Sequence, residues 1–483
     1  MNFKKLLDLR ILVPVTIAIL ILLLFLLPIG LTGERRLLVV IALLLAGMIV
    51  LLLKRENKAK ESDKIEKSLI LEADSMVVTS SGSQRKASEQ ARDELLRAIE
   101  GLKKSSIGGG RSGRSALYVL PWFLVLGRQG AGRSSLVRQS GLSIPGSGPK
   151  DGKKERGVGA TRNCEWWFTN QAIFLEAHGR FVGLEDESEL GQDWREFLQV
   201  LGKARPKLPL NGVVIAVSAE DLIRHETAKL EEQARVLRRR LDSLESSLGV
   251  ICPVYLAVTK TDLVHGFSQY FADLDSKARG QIWGATFSPD VFHEEDGGRI
   301  FRKEFELLYR VLCKRRIARM ESEDNAARRG EVYLFPLEFL ALRKKLQRFV
   351  KTLFEPNAYG ANPMFRGFYF TSADHEGVPV EMVVNEVSRV IGLPPQWEDD
   401  DDRTRVLGAP AAASSSSASR SSRATSPGEP HFLRDLFGKL LLSDASIAHP
   451  TKRSAKRREV RRMVLQGAAG AAIATLALLL IVS

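Results

Sequence analysis

The sequence predicts an α/β domain with a mostly parallel sheet, together with three transmembrane helices. Between residues 117 and 373, short apolar runs alternate with helical segments. These runs are apolar on both faces, as a parallel sheet covered by helices on both sides requires. The transmembrane helices are predicted by three long runs that contain no charged residue, at 11–31, 37–53 and 463–483.

The first two uncharged runs are predicted to form a transmembrane hairpin over residues 1–53. As helices, 11–31 and 37–53 rise about 31 and about 26 Å at roughly 1.5 Å per residue, close to a hydrocarbon core about 30 Å thick. The connector TGERR is short enough for a tight turn only. A cleaved signal peptide is the alternative, but the first run is long for one and no small-x-small cleavage site precedes the second run.

Basic residues give the expected orientation, because flanking lysine and arginine stay on the cytoplasmic side. Before the third run the chain carries Lys452, Arg453, Lys456, Arg457, Arg458, Arg461 and Arg462, opposed only by Glu459. We therefore expect the N-terminus and residues 54–462 in the cytoplasm, and the C-terminus on the far side of the membrane.

Composition argues against two classes of site. The net charge of +14 lies largely in the juxtamembrane segments, so it matches attraction to anionic headgroups rather than to nucleic acid. Cys164, Cys252 and Cys313 are too few and too widely spaced for a disulfide framework or a zinc ligand set. Such cysteine usage agrees with a reducing compartment.

The chain between the hairpin and the third run divides into four parts. Residues 54–115 are predicted to form a stalk helix and a glycine-rich flexible linker, and 116–395 to form the α/β domain. The acidic and Ser/Ala-rich tract 396–430 has too few apolar residues for a core, so disorder is expected. Residues 431–462 begin with HFLRDLFGKLLLSD, which is expected to pack back on the domain, and end in the polybasic run.

Within the α/β domain, apolar runs predict the strands and periodic segments predict the helices. The strand candidates lie in 118–127, 172–177, 212–218, 253–262 and 367–373. Further helices are expected over 300–325 and 337–354. A long charged helix over 219–247 has an apolar stripe of Leu230, Val236, Leu237, Leu241 and Leu244. We interpret it as a solvated insertion rather than a nucleic-acid reader.

A glycine-rich turn follows the first predicted strand, in LVLGRQGAGRSSL at 124–136. It matches the phosphate-loop pattern G-x-x-x-x-G-K-[ST], except that arginine replaces lysine. In such a loop the glycines let backbone N–H groups converge on phosphate, while lysine bridges the phosphates and Ser/Thr binds magnesium. The candidate phosphate-binding residues are Gly127, Gly130, Gly132, Arg133, Ser134 and Ser135. The alternative is a strand-to-helix turn that binds no ligand.

Other loops of a GTPase-like fold can be assigned at the ends of later strands. Thr259, Lys260 and Asp262 match the guanine-recognition pattern [NT]-K-x-D after the run VYLAV. Ser372 and Ala373 match the short loop on the guanine side of the same fold. Thr161 is the candidate switch threonine, which would bind magnesium together with Ser134.

The metal-side loop D-x-x-G departs from its pattern, because Glu176-Ala177-His178-Gly179 stands at the end of the run AIFLE. Glu176 keeps the negative charge of the aspartate. Its extra methylene, however, moves the carboxylate about one bond too far for an outer-sphere contact with magnesium. Together with Arg133 this change argues against fast hydrolysis. His178 is either a base or a solvent-facing substitution, and no set of nucleophile and base suggests itself. The sequence therefore predicts no catalytic residue.

With these features in place, the chain resembles the TssM/IcmF family, the large inner-membrane component of bacterial type VI secretion systems and its relative in type IVB systems. The resemblance covers the chain in order, through all three apolar runs. It is carried by LPWFLVLGRQGAGRSSLVRQSGL (120–142), TRNCEWWFTNQAIFLEAHGRF (161–181), LNGVVIAVSAEDL (210–222), PVYLAVTKTDLVHGF (253–267), IWGATF (282–287), FRGFYFTSADHEGVP (365–379) and FLRDLF (432–437).

The resemblance implies a cytoplasmic GTPase-like P-loop domain, held at the bacterial inner membrane by the hairpin and the third span. It implies an oligomer whose partners are a TssL-like inner-membrane protein, baseplate components on the cytoplasmic face, and a TssJ-like lipoprotein reached through a periplasmic region. That region is missing from this sequence, so a fragment, a split member and a shortened member of the family all stay open. The implied cofactor is GTP or ATP with magnesium, and the absence of any cofactor stays open as well.

Two functions are therefore weighed. The first is a structural and assembly component of a type VI secretion membrane complex with a degenerate nucleotide site. The alternative is a slow, membrane-tethered GTPase or ATPase that regulates assembly of that complex. A third reading, an unrelated GTPase that remodels bilayers, would require a self-associating stalk.

Overall fold

A seven-stranded sheet forms the centre of this computed structural model. The described residues are 120–143, 164–183, 187–206, 208–289, 296–356, 362–373, 382, 430–451, 454–456 and 460. All of them belong to one compact unit.

The strands of the described residues form a mixed sheet that is mostly parallel. They are β1 (Trp122–Leu126), β2 (Cys164–Phe168), β3 (Ile173–Ala177), β4 (Gly212–Ser218), β5 (Val250–Ile251), β6 (Pro253–Thr259), β7 (Gly284–Thr286), β8 (Met364–Phe370) and β9 (His449–Pro450). The order in the main sheet is β2-β3-β1-β4-β6-β8-β7, and β5 pairs with β9 separately. β3, β1, β4, β6 and β8 run parallel, while β2 and β7 are antiparallel edge strands. The predicted α/β class with a mostly parallel sheet is confirmed.

Burial explains why the five parallel strands are predictable and the two edge strands are not. Every residue of β1, β3, β4 and β6 is buried, so helices cover both faces and the strand sequences are apolar throughout. β7 consists of Gly284, Ala285 and Thr286, which are only partly covered or exposed. Such a strand carries no apolar signal and exists because it pairs with β8. β2 is short and pairs antiparallel to β3, so it escapes a search for parallel runs.

The helices surround the sheet, with two corrections to the predicted bounds. They are α1 (Arg133–Arg138), α2 (Glu187–Ala204), α3 (Ala219–Arg224), α4 (Thr227–Leu248), α5 (Phe267–Tyr270), α6 (Ser276–Arg279), α7 (Gly297–Glu321) and α8 (Ala326–Leu353). The single helix expected over 219–247 is divided, because His225 and Glu226 adopt extended backbone. The helix expected to begin at 337 begins at Ala326 and passes through the buried Pro336. Packing of α8 along α7 and α4 outweighs the helix-breaking tendency of this proline.

The apolar stripe predicted for the charged helix lies on α4. Leu230, Val236, Leu237, Leu241 and Leu244 are all buried. The stripe faces α8 and α2, against which α4 packs. The charged residues of α4 include exposed i,i+3 and i,i+4 ion pairs such as Arg235 with Glu231 and Glu232. α4 is thus a packed surface helix, as its periodicity indicates.

The segment 430–451 packs against the sheet, as its apolar sequence predicts. It contains a π-helical stretch, Leu436–Leu441. Leu433, Phe437 and Leu441 are buried in the same core cluster as strand residues of β1 and β3. The ring of Phe437 lies 5.4 Å from that of Phe174, centroid to centroid.

A buried carboxylate fixes this segment to two strands. Asp444, which is 5% exposed, accepts hydrogen bonds from the Tyr255 hydroxyl at 3.1 Å and from Arg366 at 2.7 and 3.2 Å. Burial, and then the neighbouring Asp444 carboxylate, raises the pKa of Tyr255. Asn211 adds a second link by donating to the carbonyl oxygen of Ala445 at 2.7 Å. These contacts join the segment to β6, β8 and the start of β4.

Several predictions from the sequence lie outside the described residues. These are the runs 11–31, 37–53 and 463–483, the stalk and linker 54–115, the tract 396–429 and Thr161. Within the described part of the chain, every helix is too short or too polar to cross a membrane.

We expect Asp444→Ala to destabilise the protein, because the substitution removes a buried carboxylate that pairs with the partly buried Arg366 guanidinium. Breaking one partner of a buried ion pair costs about 3 to 5 kcal/mol. For a unit of this size about 3 kcal/mol corresponds to a fall in melting temperature of roughly 6 to 12 °C. Thermal unfolding of the full chain in detergent, followed by tryptophan fluorescence, measures the change.

The matched control is Lys439→Ala, which removes an ion pair with Asp435 whose lysine side chain is 73% exposed. Pairs of that kind contribute about 0 to 1 kcal/mol. Equal shifts for Asp444→Ala and Lys439→Ala would contradict the role given to the buried carboxylate.

Candidate functional site

The predicted site residues lie along one edge of the sheet. Because β1, β3, β4, β6 and β8 are parallel, their carboxyl ends meet at that edge, where ligands bind in open α/β sheets. The glycine-rich loop follows β1, the loop with Glu176 and Gly179 ends β3, and the TKTD loop follows β6. The topology therefore brings together residues that are far apart in the sequence.

The glycine-rich loop has the backbone conformation that its glycines predict. Gly130 and Gly132 have φ values of 83° and 71°, in the left-handed region that favours glycine. A Cβ atom at Gly127 would lie 2.7 Å from the carbonyl oxygen of Ala216, which β4 presents beside the loop. Gly132 precedes α1 and accepts a hydrogen bond from the amide of Leu136 at 3.0 Å. The strand–loop–helix arrangement of a phosphate loop is therefore present.

The side chain of Arg133 is folded back onto the end of β3. Its Nη1 atom donates to the carbonyl oxygen of Ala177, and its Nη2 atom lies 3.8 Å from the Oε1 atom of Glu176. Burial lowers the pKa of the Arg133 guanidinium, and Glu176 partly offsets that effect. Both terminal nitrogens are thus directed at protein groups.

Glu176 is the centre of a buried polar cluster. Its side chain is 6% exposed and accepts hydrogen bonds from the Ser134 hydroxyl at 2.8 Å and from the Trp167 indole at 3.1 Å. Together with Arg133, these contacts join α1, β2 and β3. Arg133 supplies a positive charge, and Ser134 and Trp167 supply hydrogen bonds, that stabilise the Glu176 carboxylate.

The groups that the phosphate-loop pattern assigns to phosphate and magnesium already contact other residues of the protein. The Ser134 oxygen keeps lone pairs for a metal while its proton points to Glu176. The charge of Arg133, however, is neutralised by Glu176 and its terminal nitrogens are engaged with β3. A phosphate group would have to displace both contacts. Ser135 lies in the first turn of α1, and its backbone carbonyl oxygen accepts a hydrogen bond from the amide of Gln139 at 3.0 Å.

The loop after β3 lies directly against the glycine-rich loop. A Cβ atom at Gly179 would come within 2.7 Å of the amide nitrogen of Gln129, so this position also requires glycine. His178 lies at the protein surface. Desolvation, and then the positive charges of Arg180 and Arg133, lower its pKa. The surface position agrees with the solvent-facing interpretation of His178.

The residues predicted to recognise a guanine base lie side by side. The Ser372 hydroxyl donates to the Asp262 carboxylate at 2.5 Å. The Thr261 hydroxyl donates to the carbonyl oxygen of Thr371 at 2.9 Å, and Ala373 follows in the same loop. The loops after β6 and β8 therefore lie next to each other at this sheet edge.

Thr259 connects the end of β6 to the glycine-rich loop, and Lys260 connects it to α3. The Thr259 hydroxyl donates to the carbonyl oxygen of Ala131 at 2.8 Å. Lys260 has a left-handed backbone, with φ of 54°, and its ammonium group donates to Glu220 at 3.0 Å. All the predicted site residues except Thr161 are thus placed at the same sheet edge, and nucleotide binding by them stays a prediction.

Sequence reasoning misses three residues of the site. Trp167 belongs to the unpredicted strand β2. Glu220 follows β4, and an acidic residue at the end of a strand beside β6 is a signal that could have indicated a partner for Lys260. His431 forms two backbone hydrogen bonds with Ser372, at 3.1 and 2.9 Å. No local pattern indicates that contact, because the two residues are distant in the sequence.

Comparison with solved structures adds little. A chain of the signal recognition particle receptor SRb-GTP/SRX complex from Chaetomium thermophilum is 19% identical, over 30% of this chain and 71% of that chain, with a TM-score of 0.20. A TM-score that low supports no conclusion.

Comparison of sequences is decisive. The "Type VI secretion system component TssM1" of Pseudomonas aeruginosa is 33% identical over 373 residues, which are 77% of this chain and 31% of that protein. This chain therefore spans about a third of the length of that relative. The family described as IcmF-related N-terminal domain matches residues 187–469, more than half of the chain. The chain belongs to the TssM/IcmF family of type VI secretion components.

Proposed function

We propose that this chain is a structural and assembly component of a type VI secretion membrane complex, in which the α/β domain is a docking platform with a degenerate nucleotide site. The observation that carries the proposal is the buried polar cluster around Glu176. Arg133, which takes the place of the phosphate-binding lysine, contacts Glu176 and the end of β3. A phosphate group would therefore compete with interactions that stabilise the fold.

The strand order supports a GTPase-like origin for the platform. In the order β2-β3-β1-β4-β6-β8-β7 the glycine-rich loop follows the interior strand β1, and the TKTD loop follows β6. The P-loop combines such a strand with a glycine turn and a helix. In this proposal the GTPase-like fold provides a surface that binds partner proteins, while Arg133 and Glu176 lower the rate of nucleotide hydrolysis.

The proposed location is the cytoplasmic face of the bacterial inner membrane, with the N-terminus and residues 54–462 in the cytoplasm and three spans. Family membership supports a membrane complex. The proposed partners are a TssL-like inner-membrane protein and baseplate components. A TssJ-like lipoprotein would be reached only through a periplasmic part.

We expect the full chain, purified from native membranes, to retain a TssL-like protein and baseplate components in stoichiometric amounts. Because the platform acts through its surface, Asp262→Asn should retain the same amounts with and without added GTP and magnesium. Quantitative mass spectrometry of the complexes measures the ratios. Loss of these partners from the unaltered chain, or retention only when GTP is present, would overturn the proposal.

Restoring the two altered positions should restore nucleotide binding. The double variant Arg133→Lys, Glu176→Asp returns the lysine and the shorter carboxylate, so the phosphate side regains a free cation. Calorimetry with GTP, GDP and ATP should show magnesium-dependent affinity at least about tenfold above that of the unaltered chain, a difference of about 1.4 kcal/mol. Micromolar, magnesium-dependent binding by the unaltered chain would show that the site is not degenerate.

A slow GTPase or ATPase that regulates assembly is the second candidate. It is favoured by the left-handed Gly130 and Gly132 and by the contact between Asp262 and Ser372, which keep the glycine loop and the base-side surface. If this candidate is right, Asp262→Ala should abolish GTP binding while ATP binding is unchanged. Thermal unfolding of the variant controls for loss of the contact with Ser372.

A further inference from the structure

A basic groove runs between α7 and α8, on a part of the protein separate from the glycine-rich loop. Its volume is about 870 Å³. The cationic residues that line it are Arg299, Arg302, Lys303, Arg310, Arg343 and Lys344. The groove also contains Leu307 and a single acidic residue, Glu306.

Most of the positive charge in the groove has no ion-pair partner among the described residues. Glu306 accepts from Arg343 at 2.8 Å and lies 3.6 Å from Arg310, so its charge is already shared. Arg302, Lys303 and Lys344 are exposed, and none of them has an ion pair within the described part of the chain. Positive charges that line a concave site focus the electrostatic potential and attract an anionic partner.

Apolar surface is exposed along α7, at Leu307 in the groove and at Val311 just beyond its lining residues. Leu307 is 47% exposed, and Val311, one helical turn further on, is 63% exposed. Residues four apart lie on the same face of a helix. Apolar side chains rimmed by charged ones are typical of a protein interaction site. The face therefore offers apolar contacts as well as charge.

The dimensions of the groove indicate what kind of partner fits. Its lining residues on α7 extend from Arg299 to Arg310, a rise of about 16 Å, which is about three helical turns. A bilayer surface is flat and would contact the rim of a concave groove, whereas an amphipathic helix places its apolar face into such a groove. Charge complementarity requires acidic residues on the flanks of that helix.

We propose that the groove between α7 and α8 is a docking site for an acidic amphipathic helix of about three turns, contributed by a partner protein. Leu307 contacts the apolar face of this helix, and the surrounding cations pair with its acidic flanks. The inference rests on the proposed function in one respect, since the partner is taken to be a component of the secretion assembly.

The test uses the full chain in nanodiscs of neutral phosphatidylcholine and a fluorescent synthetic helix of about three turns. The peptide carries leucines at i, i+4 and i+7 and glutamates on both flanks. Fluorescence anisotropy should show saturable binding that weakens as salt is raised. Arg302→Glu combined with Lys303→Glu should weaken binding at least about tenfold, and Leu307→Ser should also weaken it while leaving the groove's charge unchanged.

The matched control is Arg328→Glu combined with Arg329→Glu. Both residues are exposed in the first turn of α8, outside the groove, and the change in charge is identical. This control should leave the affinity for the peptide within about twofold of that of the unaltered chain. Thermal unfolding confirms that all variants fold.

Three outcomes would overturn the inference. They are equal binding of a scrambled peptide of the same composition, equal weakening by the control variant, and groove-dependent binding to phosphatidylglycerol vesicles in place of the peptide. The last result would assign the groove to a lipid surface. The peptide assay and the purification from membranes test the two proposals separately. If the chain binds the peptide but retains no TssL-like partner, the groove is a helix-binding site and the proposed function is refuted.

Discussion

The structure of the sheet edge depends on the buried carboxylate of Glu176. A charge that is only 5% exposed is tolerated in a folded protein when hydrogen bonds and an opposite charge compensate it. Here Ser134 and Trp167 donate hydrogen bonds to Glu176, and Arg133 supplies the opposite charge. Ser134 and Arg133 lie on α1, and Trp167 lies on β2. The contacts that stabilise this edge therefore involve Arg133 and Ser134, two residues that the glycine-rich pattern assigns to phosphate and magnesium.

The segment 430–451 is a second feature of the α/β domain that is fixed by specific contacts. It pairs with the base-side loop through His431 and Ser372, and Asp444 joins it to β6 and β8. At its end, His449–Pro450 pairs with β5. The chain thus passes from the carboxyl edge of the sheet to the start of the polybasic run through residues that are held by hydrogen bonds and buried apolar contacts.

Much of the fold could be predicted because its central strands are buried on both faces. The run GVVIAVS at 212–218 corresponds to β4 without a change of bounds, and the glycine loop has the left-handed residues expected of it. The prediction was wrong at residues 219–247 and at the helix start of 337, where extended backbone at His225 and packing around Pro336 override the local pattern. Edge strands β2 and β7 could not be predicted, because their sequences lack the long apolar runs of the central strands. Hydrogen bonds with β3 and β8 hold them in the sheet.

The sequence by itself determined the α/β class, the family resemblance, the loops that carry the candidate site and the altered residues Arg133 and Glu176. Those features are local, since they follow from periodicity, glycine spacing and the identity of single residues. The tertiary structure alone decided that Arg133 contacts Glu176 and the end of β3, that Trp167 shares that carboxylate, and that cations of α7 and α8 line one groove. The physical reason is that these contacts join elements distant in the sequence, and only folding sets the distances between their charges.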